Sequence, residues 1–196
     1  IYTLWHTLSL HDALPISWFP VPALLVLLLG VSCRTIHITD AYPPDTRPTA
    51  ELQTAVAAGE PGAMVALGEL YYDGRGVDQS YARARKLFEQ AAAKGHPGGV
   101  YKLGLMHQYG RTFPKNADKA LELYEKAAKQ GYPKAMFRLA YHYQQRPEPD
   151  PHLAFIWYEG AAELGHTGAM ISLATMYLNG VGTNKSAKTA GKWILA

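Results

Sequence analysis

Cysteine is almost missing from this sequence, because Cys33 is the only one among 196 residues. A lone cysteine cannot form an internal disulfide, and it excludes sites that are built from paired cysteines. The sequence also lacks a nucleophile-elbow motif, a phosphate-binding loop and any two histidines at the H-x-x-x-H or H-E-x-x-H spacing of a zinc site. From these absences we predict that the chain is not an enzyme and requires no metal or cofactor.

Long hydrophobic runs are missing as well. The uninterrupted run Ala23–Leu29 has seven residues, far fewer than the roughly 20 that a membrane-spanning helix needs. Its length fits the apolar core of a secretory signal, although no lysine or arginine precedes it. The stretch 6–17 resembles a translated sequencing adapter, so we expect residues 1–17 to be a non-native leader.

The end of this apolar segment indicates lipid attachment. Gly30 and Ser32 lead directly to Cys33, and the segment resembles a bacterial lipobox, in which the cysteine is lipidated and becomes the new N-terminus. We predict such a signal for residues 18–33, with an ordinary cleaved signal or a buried apolar segment as alternatives. Arg34 follows the cysteine, and by resemblance to Gram-negative lipoproteins this favours an exported protein on the outer membrane, facing the periplasm.

Charge of either sign is modest. The sequence has 19 Lys and Arg against 16 Asp and Glu, a net charge of +3. This excess is too small to predict a nucleic-acid partner, which needs basic residues clustered on one face. No small-molecule substrate is indicated either. The apolar content of 48% predicts a folded chain with a continuous core.

The sequence contains an internal repeat of 36 residues. The stretch 63–98 recurs as 99–134, and the recurring pairs are Leu67 and Leu103, Gly68 and Gly104, Gly74 and Gly110, Ala84 and Ala120, Phe88 and Tyr124, Ala91 and Ala127, Ala92 and Ala128, and Gly95 and Gly131. A third unit, 135–168, is two residues shorter in a proline-rich loop, and a fourth, 169–196, is expected to be truncated. A period of this length indicates a stack of supersecondary units.

Each unit is predicted to form two helices around a loop rich in glycine or proline. In the first unit the helices are expected at about 62–72 and 80–94, and Leu103 is expected to be buried in the second unit. Residues 49–62 look like the second half of a unit, so they are predicted to form an N-terminal capping helix. Residues 34–48 contain prolines and no helical period, and they are predicted to be an extended tether.

The pattern A-x-x-x-L-G-x-x-Y-x-x-G-x-G-V, followed by K-A-x-x-W-[YF]-x-x-A-A-x-x-G, resembles the Sel-one-like repeat family, which is related to tetratricopeptide repeats. The resemblance covers residues 49–196. It implies an all-α, right-handed superhelical solenoid of antiparallel helix pairs. It also implies scaffolding through protein–protein interaction, with a protein or peptide as the partner, and it implies no reaction.

A partner-binding surface is predicted on the concave side, along the first helix of each unit. Aromatic side chains beside cations are typical of interaction hot spots. The candidate residues are Glu69, Tyr72, Tyr101, Lys102, Phe137, Arg138 and Tyr141. For Tyr101 and Phe137, packing against the neighbouring repeat is an equally good alternative. A different function, a cell-envelope hydrolase or wall-processing accessory with an acid or base on a loop, is the alternative to the scaffold.

Histidines and carboxylates are predicted to have structural roles. His96 and His166 follow the last glycine of a unit, so a role in the turn is expected. His107 stands at a tyrosine position of the core, where we expect a buried imidazole with its hydrogen bonds satisfied. The carboxylates expected on loops or solvent faces are Asp73, Asp78, Glu89 and Glu125.

Overall fold

The structure is a computed structural model that describes residues 44–195. The predicted leader, the signal segment with Cys33 and most of the tether lie outside the described residues. Residues 44–195 form nine α-helices and no β-strand. The helices are α1 (Thr49–Ala57), α2 (Pro61–Asp73), α3 (Tyr81–Ala93), α4 (Pro97–Tyr109), α5 (Ala117–Lys129), α6 (Pro133–Gln145), α7 (Pro151–Glu163), α8 (Thr167–Asn179) and α9 (Ala187–Ile194).

Each repeat is a helix pair, as predicted. We call α2, α4, α6 and α8 the first helices and α3, α5, α7 and α9 the second helices. Each first helix packs on its own second helix, and each second helix packs on the next first helix. The all-α solenoid of helix pairs is therefore confirmed. No helix within residues 44–195 is long and apolar enough to cross a membrane.

Side chains at the helix N-termini set where the second helices begin. Ser80, Asn116, Asp150 and Ser186 each accept a hydrogen bond from the backbone N–H three residues further on. Such a cap satisfies one of the N–H groups that a first helical turn leaves without a partner. Three of the first helices, α2, α4 and α6, instead begin with proline, which fits the first helical position because no N–H is needed there.

Small side chains allow the paired helices to approach closely. Ala84, Ala154 and Ala161 on the second helices are fully buried. On α4, a Cβ atom at Gly104 would lie 2.7 Å from the ring of Tyr124, which is too close for a carbon contact. The glycine thus makes room for the large ring that fills the space between the two helices.

The core register differs from the prediction at one position. Leu103 was expected to be buried, but it is only partly buried against the cluster that contains Phe88 and Met106. Leu139 and Leu173, the equivalent residues of the next two repeats, are fully buried. In the second repeat Met106 is fully buried between α3 and α4, so Leu103 lies nearer the edge of that contact.

Candidate functional site

The seven predicted partner-binding residues lie on three first helices, but they do not form one open surface. Glu69 and Tyr72 lie on α2, Tyr101 and Lys102 on α4, and Phe137, Arg138 and Tyr141 on α6. Their exposure ranges from the 6% of buried Tyr101 to the 50% of exposed Tyr141. Packing and ion pairing within the chain account for part of the set.

Tyr101 and Phe137 pack between neighbouring repeats. The ring of Tyr101 lies 5.5 Å from the ring of Tyr124 and 5.2 Å from that of Tyr132, the residue that precedes α6. Phe137 stacks on His166, which precedes α8, at 4.6 Å. The packing alternative therefore describes both side chains, since each contacts the residue at the start of the next first helix.

Lys102 and Glu69 form an ion pair between two repeats. The ammonium of Lys102 on α4 lies 2.5 Å from Oε1 of Glu69 on α2, and both side chains are about one-fifth exposed (19% and 22%). Because both charges are partly removed from water, each offsets the desolvation cost of the other, and loss of either residue would leave an unpaired charge. Neither is a free group for a partner in this arrangement.

Tyr72 belongs to an aromatic contact near the loop that follows α4. Its ring meets the ring of Tyr81 edge-on at 5.1 Å, and the guanidinium of Arg111 lies over Tyr81 at 4.8 Å. Burial raises the pKa of the Tyr72 hydroxyl, although Arg111 opposes this shift. The hydroxyl therefore stays neutral and can donate a hydrogen bond.

Arg138 and Tyr141 line a cavity of about 340 Å³ between α5 and α6, which we call the α5–α6 cavity. It is lined by Gln108, Ala117, Ala120, Leu121, Tyr124, Arg138, Tyr141, His142, Gln145, Arg146 and Pro147. Apolar groups come from α5, and the cationic and amide groups come from α4, α6 and the loop after α6. A mixed lining of this kind is typical of a binding site.

Arg138 is the half-buried cation of the α5–α6 cavity. Burial disfavours its charge, but a hydrogen bond to the Tyr101 hydroxyl favours it, and the pKa of Arg138 lies above its ordinary value. Within residues 44–195 its guanidinium forms no ion pair. The permanent positive charge is thus available to an anionic group that enters the cavity.

A difference between repeats explains why this space is open. The tenth residue of a first helix is buried Met106 on α4 and buried Met176 on α8. On α6 the tenth residue is His142, which is exposed. On the facing helix, α3 begins with Tyr81, whereas α5 begins with Ala117. Without methionine and tyrosine at these two positions, the α5–α6 contact lacks the side chains that fill its α3–α4 counterpart.

Most residues that line the α5–α6 cavity were not among the predicted candidates, including His142, Gln145 and Arg146 at one end of α6. The available signal was the loss of methionine at the tenth position of α6, together with Arg146 at a position where the other repeats have glycine. Arg146 ends α6 in an extended conformation, as expected for a residue before proline.

Of the histidine predictions, those for His96 and His166 are confirmed and that for His107 is partly wrong. His96 and His166 each accept a backbone N–H at the start of the next first helix, so the predicted turn role is confirmed. The prediction for His107 is wrong in one respect, because its buried Nδ1 atom has no hydrogen-bond partner. The ring instead stacks on Phe113 at 4.1 Å, and burial lowers the pKa of His107, with smaller effects of Lys119 and Arg85.

The carboxylates show no clustering that would suit a metal ion, since residues 44–195 contain no group of three or more potential metal ligands.

Comparisons with known proteins agree with this geometry. The family model described as Sel1 repeat matches four consecutive segments, 61–96, 97–132, 133–166 and 167–195. Each matched segment begins at the first residue of a first helix, two residues before the unit drawn from the sequence.

Two solved structures are similar along most of the chain. The first is a Sel1 repeat protein from Oxalobacter formigenes, with 28% identity, a TM-score of 0.67, and coverage of 75% of this chain and 43% of that chain. The second is a protective antigen of uropathogenic Escherichia coli strains that displays an SLR fold, with 28% identity, a TM-score of 0.63, and coverage of 75% and 32%. The chain therefore spans less than half the length of either protein. A search of curated proteins gives no significant match.

Proposed function

Because the chain belongs to the Sel1 repeat family, whose members generally mediate protein–protein interactions, we propose that it is a scaffold that binds a protein or peptide along its first helices. The main support is the α5–α6 cavity, in which Arg138, a cation without an ion-pair partner among residues 44–195, lies beside exposed Tyr141. Arginine and tyrosine are enriched among residues that dominate binding energy, because both combine a large contact area with polar groups. In this proposal the first helices line the concave side of the array.

The ion pair and the packed rings have a supporting role in this proposal. Lys102 and Glu69 hold α2 and α4 together, and Tyr101 fixes the position of α6 through Tyr132. Such internal contacts keep the binding surface rigid, which lowers the entropy cost of association. Tyr72, on α2, extends the proposed binding surface towards the N-terminal end of the array.

Site-specific photo-crosslinking tests the binding surface. A benzoylphenylalanine at Tyr141 should crosslink a protein partner in producing cells, because half of this side chain is exposed. The same crosslinker at Glu122, which is two-thirds exposed on second helix α5, is the control and should give no specific product. Crosslinking that is equal at both positions, or absent at Tyr141, contradicts the proposed surface.

We also propose that the scaffold has no catalytic activity of its own. Three of the carboxylates predicted on solvent faces are paired with nearby cations: Asp73 with Arg75, Glu89 with Arg85, and Glu125 with Lys129. The purified chain should not hydrolyse cell-wall fragments, and measurable turnover that is lost in His142→Ala would contradict this part of the proposal.

Export and lipid anchoring form the last part of the proposal. The apolar run before Cys33 and the small residues next to it support a lipoprotein signal, and Arg34 supports delivery to the outer membrane, with the array facing the periplasm. Several acyl chains would be needed, because one chain gives only marginal membrane binding. Residues 18–196 behind a basic start segment should incorporate a fatty-acid analogue, and Cys33→Ser should abolish the labelling. Continued labelling of Cys33→Ser would contradict lipidation at this cysteine.

A further inference from the structure

We propose that the α5–α6 cavity binds an acidic segment of the partner, whose glutamate or aspartate side chains pair with Arg138 and Arg146. This inference rests on the proposed protein-binding function and specifies the chemistry of the partner. Four observations support it: an ion pair that loses its carboxylate from one repeat to the next, two arginines on one side of α6, a lining without acidic residues, and the size of the cavity.

Arg138 lacks the carboxylate partner that the equivalent cation of the preceding repeat, Lys102, has in Glu69. Lys102 is the sixth residue of α4, and it pairs with Glu69, the ninth residue of α2. One repeat later the sixth residue of α6 is Arg138, but the ninth residue of α4 is Leu105. The cation is therefore retained while its carboxylate is replaced by an apolar side chain. Arg138 thus has no carboxylate partner at the position equivalent to Glu69, and it lines the α5–α6 cavity, where a carboxylate from another molecule can pair with it.

Arg138 is also the first member of a row that only the third repeat has. Arg138, His142 and Arg146 are spaced four residues apart, so they lie along one side of α6. At 1.5 Å per residue the row is about 12 Å long. The equivalent residues of the other repeats are Ala66, Leu70 and Gly74; Lys102, Met106 and Gly110; and Ser172, Met176 and Gly180. Two arginines, one at each end of this row, are thus a particular property of α6 and the residue that follows it.

No aspartate or glutamate lines the α5–α6 cavity. The Nε of Arg146 donates to the carbonyl oxygen of Glu148 at 2.5 Å, which fixes the guanidinium near the cavity and leaves donors free. Neither Arg138 nor Arg146 forms an ion pair within the part of the chain that the structure describes. Arginine binds carboxylates through two parallel hydrogen bonds, so both side chains suit acidic groups.

The dimensions favour an acidic segment over a single terminal carboxylate. A volume of about 340 Å³ admits several side-chain groups, and the row from Arg138 to Arg146 is about 12 Å long. In an extended peptide, alternate side chains on one side are about 7 Å apart, close to the spacing of about 6 Å between successive members of the row. Leu121, Tyr141 and Pro147 provide apolar contacts between the charges. We therefore expect acidic residues that alternate with aromatic or aliphatic ones.

The test uses the full chain and a synthetic probe. The probe is a fluorescent, N-acetylated and C-amidated peptide with the sequence Gly-Glu-Tyr-Glu-Tyr-Glu-Gly, and binding is measured by fluorescence anisotropy. The variant R138Q/R146Q should bind the probe at least about tenfold more weakly, because two charge-assisted contacts are lost. R138K should bind with intermediate affinity, since the ammonium retains the charge but loses the paired hydrogen bonds.

A matched control separates the cavity from overall charge. K126Q/K129Q removes two exposed lysines from α5, outside the cavity, and should change binding less than about twofold. A probe with glutamine in place of glutamate should bind the wild-type chain at least about tenfold more weakly. Circular dichroism of each variant checks that the helices are intact.

Three results would overturn the inference: equal binding of the glutamine probe, undiminished binding by R138Q/R146Q, or binding that appears only when the peptide has a free C-terminal carboxylate. Failure here differs from failure of the proposed function. If the Tyr141 crosslinker finds a protein partner while the acidic probe does not bind, the function stands and the acidic segment is wrong. If no partner is crosslinked, the proposed surface fails whatever the peptide does.

Discussion

The hydroxyl of Tyr124 on α5 donates a hydrogen bond to Oε1 of Gln108 on α4, at 2.5 Å. The third repeat has the same contact between Tyr158 and Gln144, at 3.1 Å. In the first repeat the equivalent ring is Phe88, which has no hydroxyl to donate. The two central repeats thus join their paired helices by a polar contact at the end of a buried ring, and the first repeat lacks this contact.

Loss of this hydroxyl should destabilise the second repeat. Tyr124→Phe leaves Gln108 without its donor but keeps the ring, so we expect the free energy of unfolding to fall by about 0.5–1.5 kcal/mol. Urea unfolding followed by circular dichroism measures the change. In the double variant Tyr124→Phe with Gln108→Leu, part of the loss should be recovered, because no polar group is then left without a partner. A double variant as unstable as the sum of the two single variants would contradict the proposed contact.

Thr112 has a left-handed backbone conformation, with φ of 63°, at a position where the first and fourth repeats have Gly76 and Gly182. A side chain with a Cβ atom costs about 1–2 kcal/mol in this conformation, although glycine also gains freedom in the unfolded chain. We therefore expect Thr112→Gly to raise the free energy of unfolding by up to about 1 kcal/mol.

The reverse substitution is the matched control for Thr112. A Cβ atom at Gly76 would meet nothing within 4 Å, so Gly76→Thr tests the backbone conformation without a steric clash. It should lower the free energy of unfolding by about 1 kcal/mol. The same sign of change for both substitutions would refute the assignment of strain to Thr112.

Leucines at equivalent positions of the repeats should differ in how much they contribute to the free energy of unfolding. Leu139 is fully buried, whereas Leu103 is only partly buried. Leu139→Ala should therefore lower the free energy of unfolding by about 2–5 kcal/mol, the usual cost of an emptied core position, and Leu103→Ala should cost less. Urea unfolding of the two variants, side by side, gives the comparison. Equal losses would mean that the burial difference has no energetic consequence.

The repeat period predicted the fold well, because the helix pairs depend on local features. Buried alanines such as Ala84 and rings such as Phe88 recur at fixed positions, and the polar side chain of Asn116 caps the start of α5. The first helix of the first repeat begins at Pro61, one residue before its expected start at about residue 62, because proline favours the first helical position. The first helices of the next two repeats also begin with proline.

The site was harder to predict because it depends on neighbouring repeats. Tyr101 is buried since another ring, Tyr132, precedes the next first helix, whereas Ile171, at the equivalent position of the fourth repeat, is exposed. The period alone does not distinguish these environments. The α5–α6 cavity likewise depends on two residues that are distant in sequence, Ala117 and His142. Only a comparison of both facing positions across repeats could have indicated it.

A pH dependence of stability should arise from His107 and His96. Burial lowers the pKa of both imidazoles, and at His107 the positive charges of Lys119 and Arg85 act in the same direction. The folded state therefore prefers neutral imidazole more than the unfolded state does. Stability should be fully present above the unfolded pKa of about 6.5, and it should be lost as the pH falls through the lower folded pKa.

His107→Tyr should reduce this loss of stability at low pH. Tyrosine is the residue of the other three repeats at this position, as Tyr71, Tyr143 and Tyr177, and it removes the buried Nδ1 atom that has no partner. We expect a higher melting temperature at pH 7.5 and a smaller decrease between pH 7.5 and 5 than in the wild-type chain. His152→Tyr, at an exposed position on α7, is the control and should keep the wild-type pH dependence. Since His96 remains in every variant, its own contribution cancels, and identical pH profiles for His107→Tyr and the wild-type chain would show that the imidazole of His107 has no part in the effect.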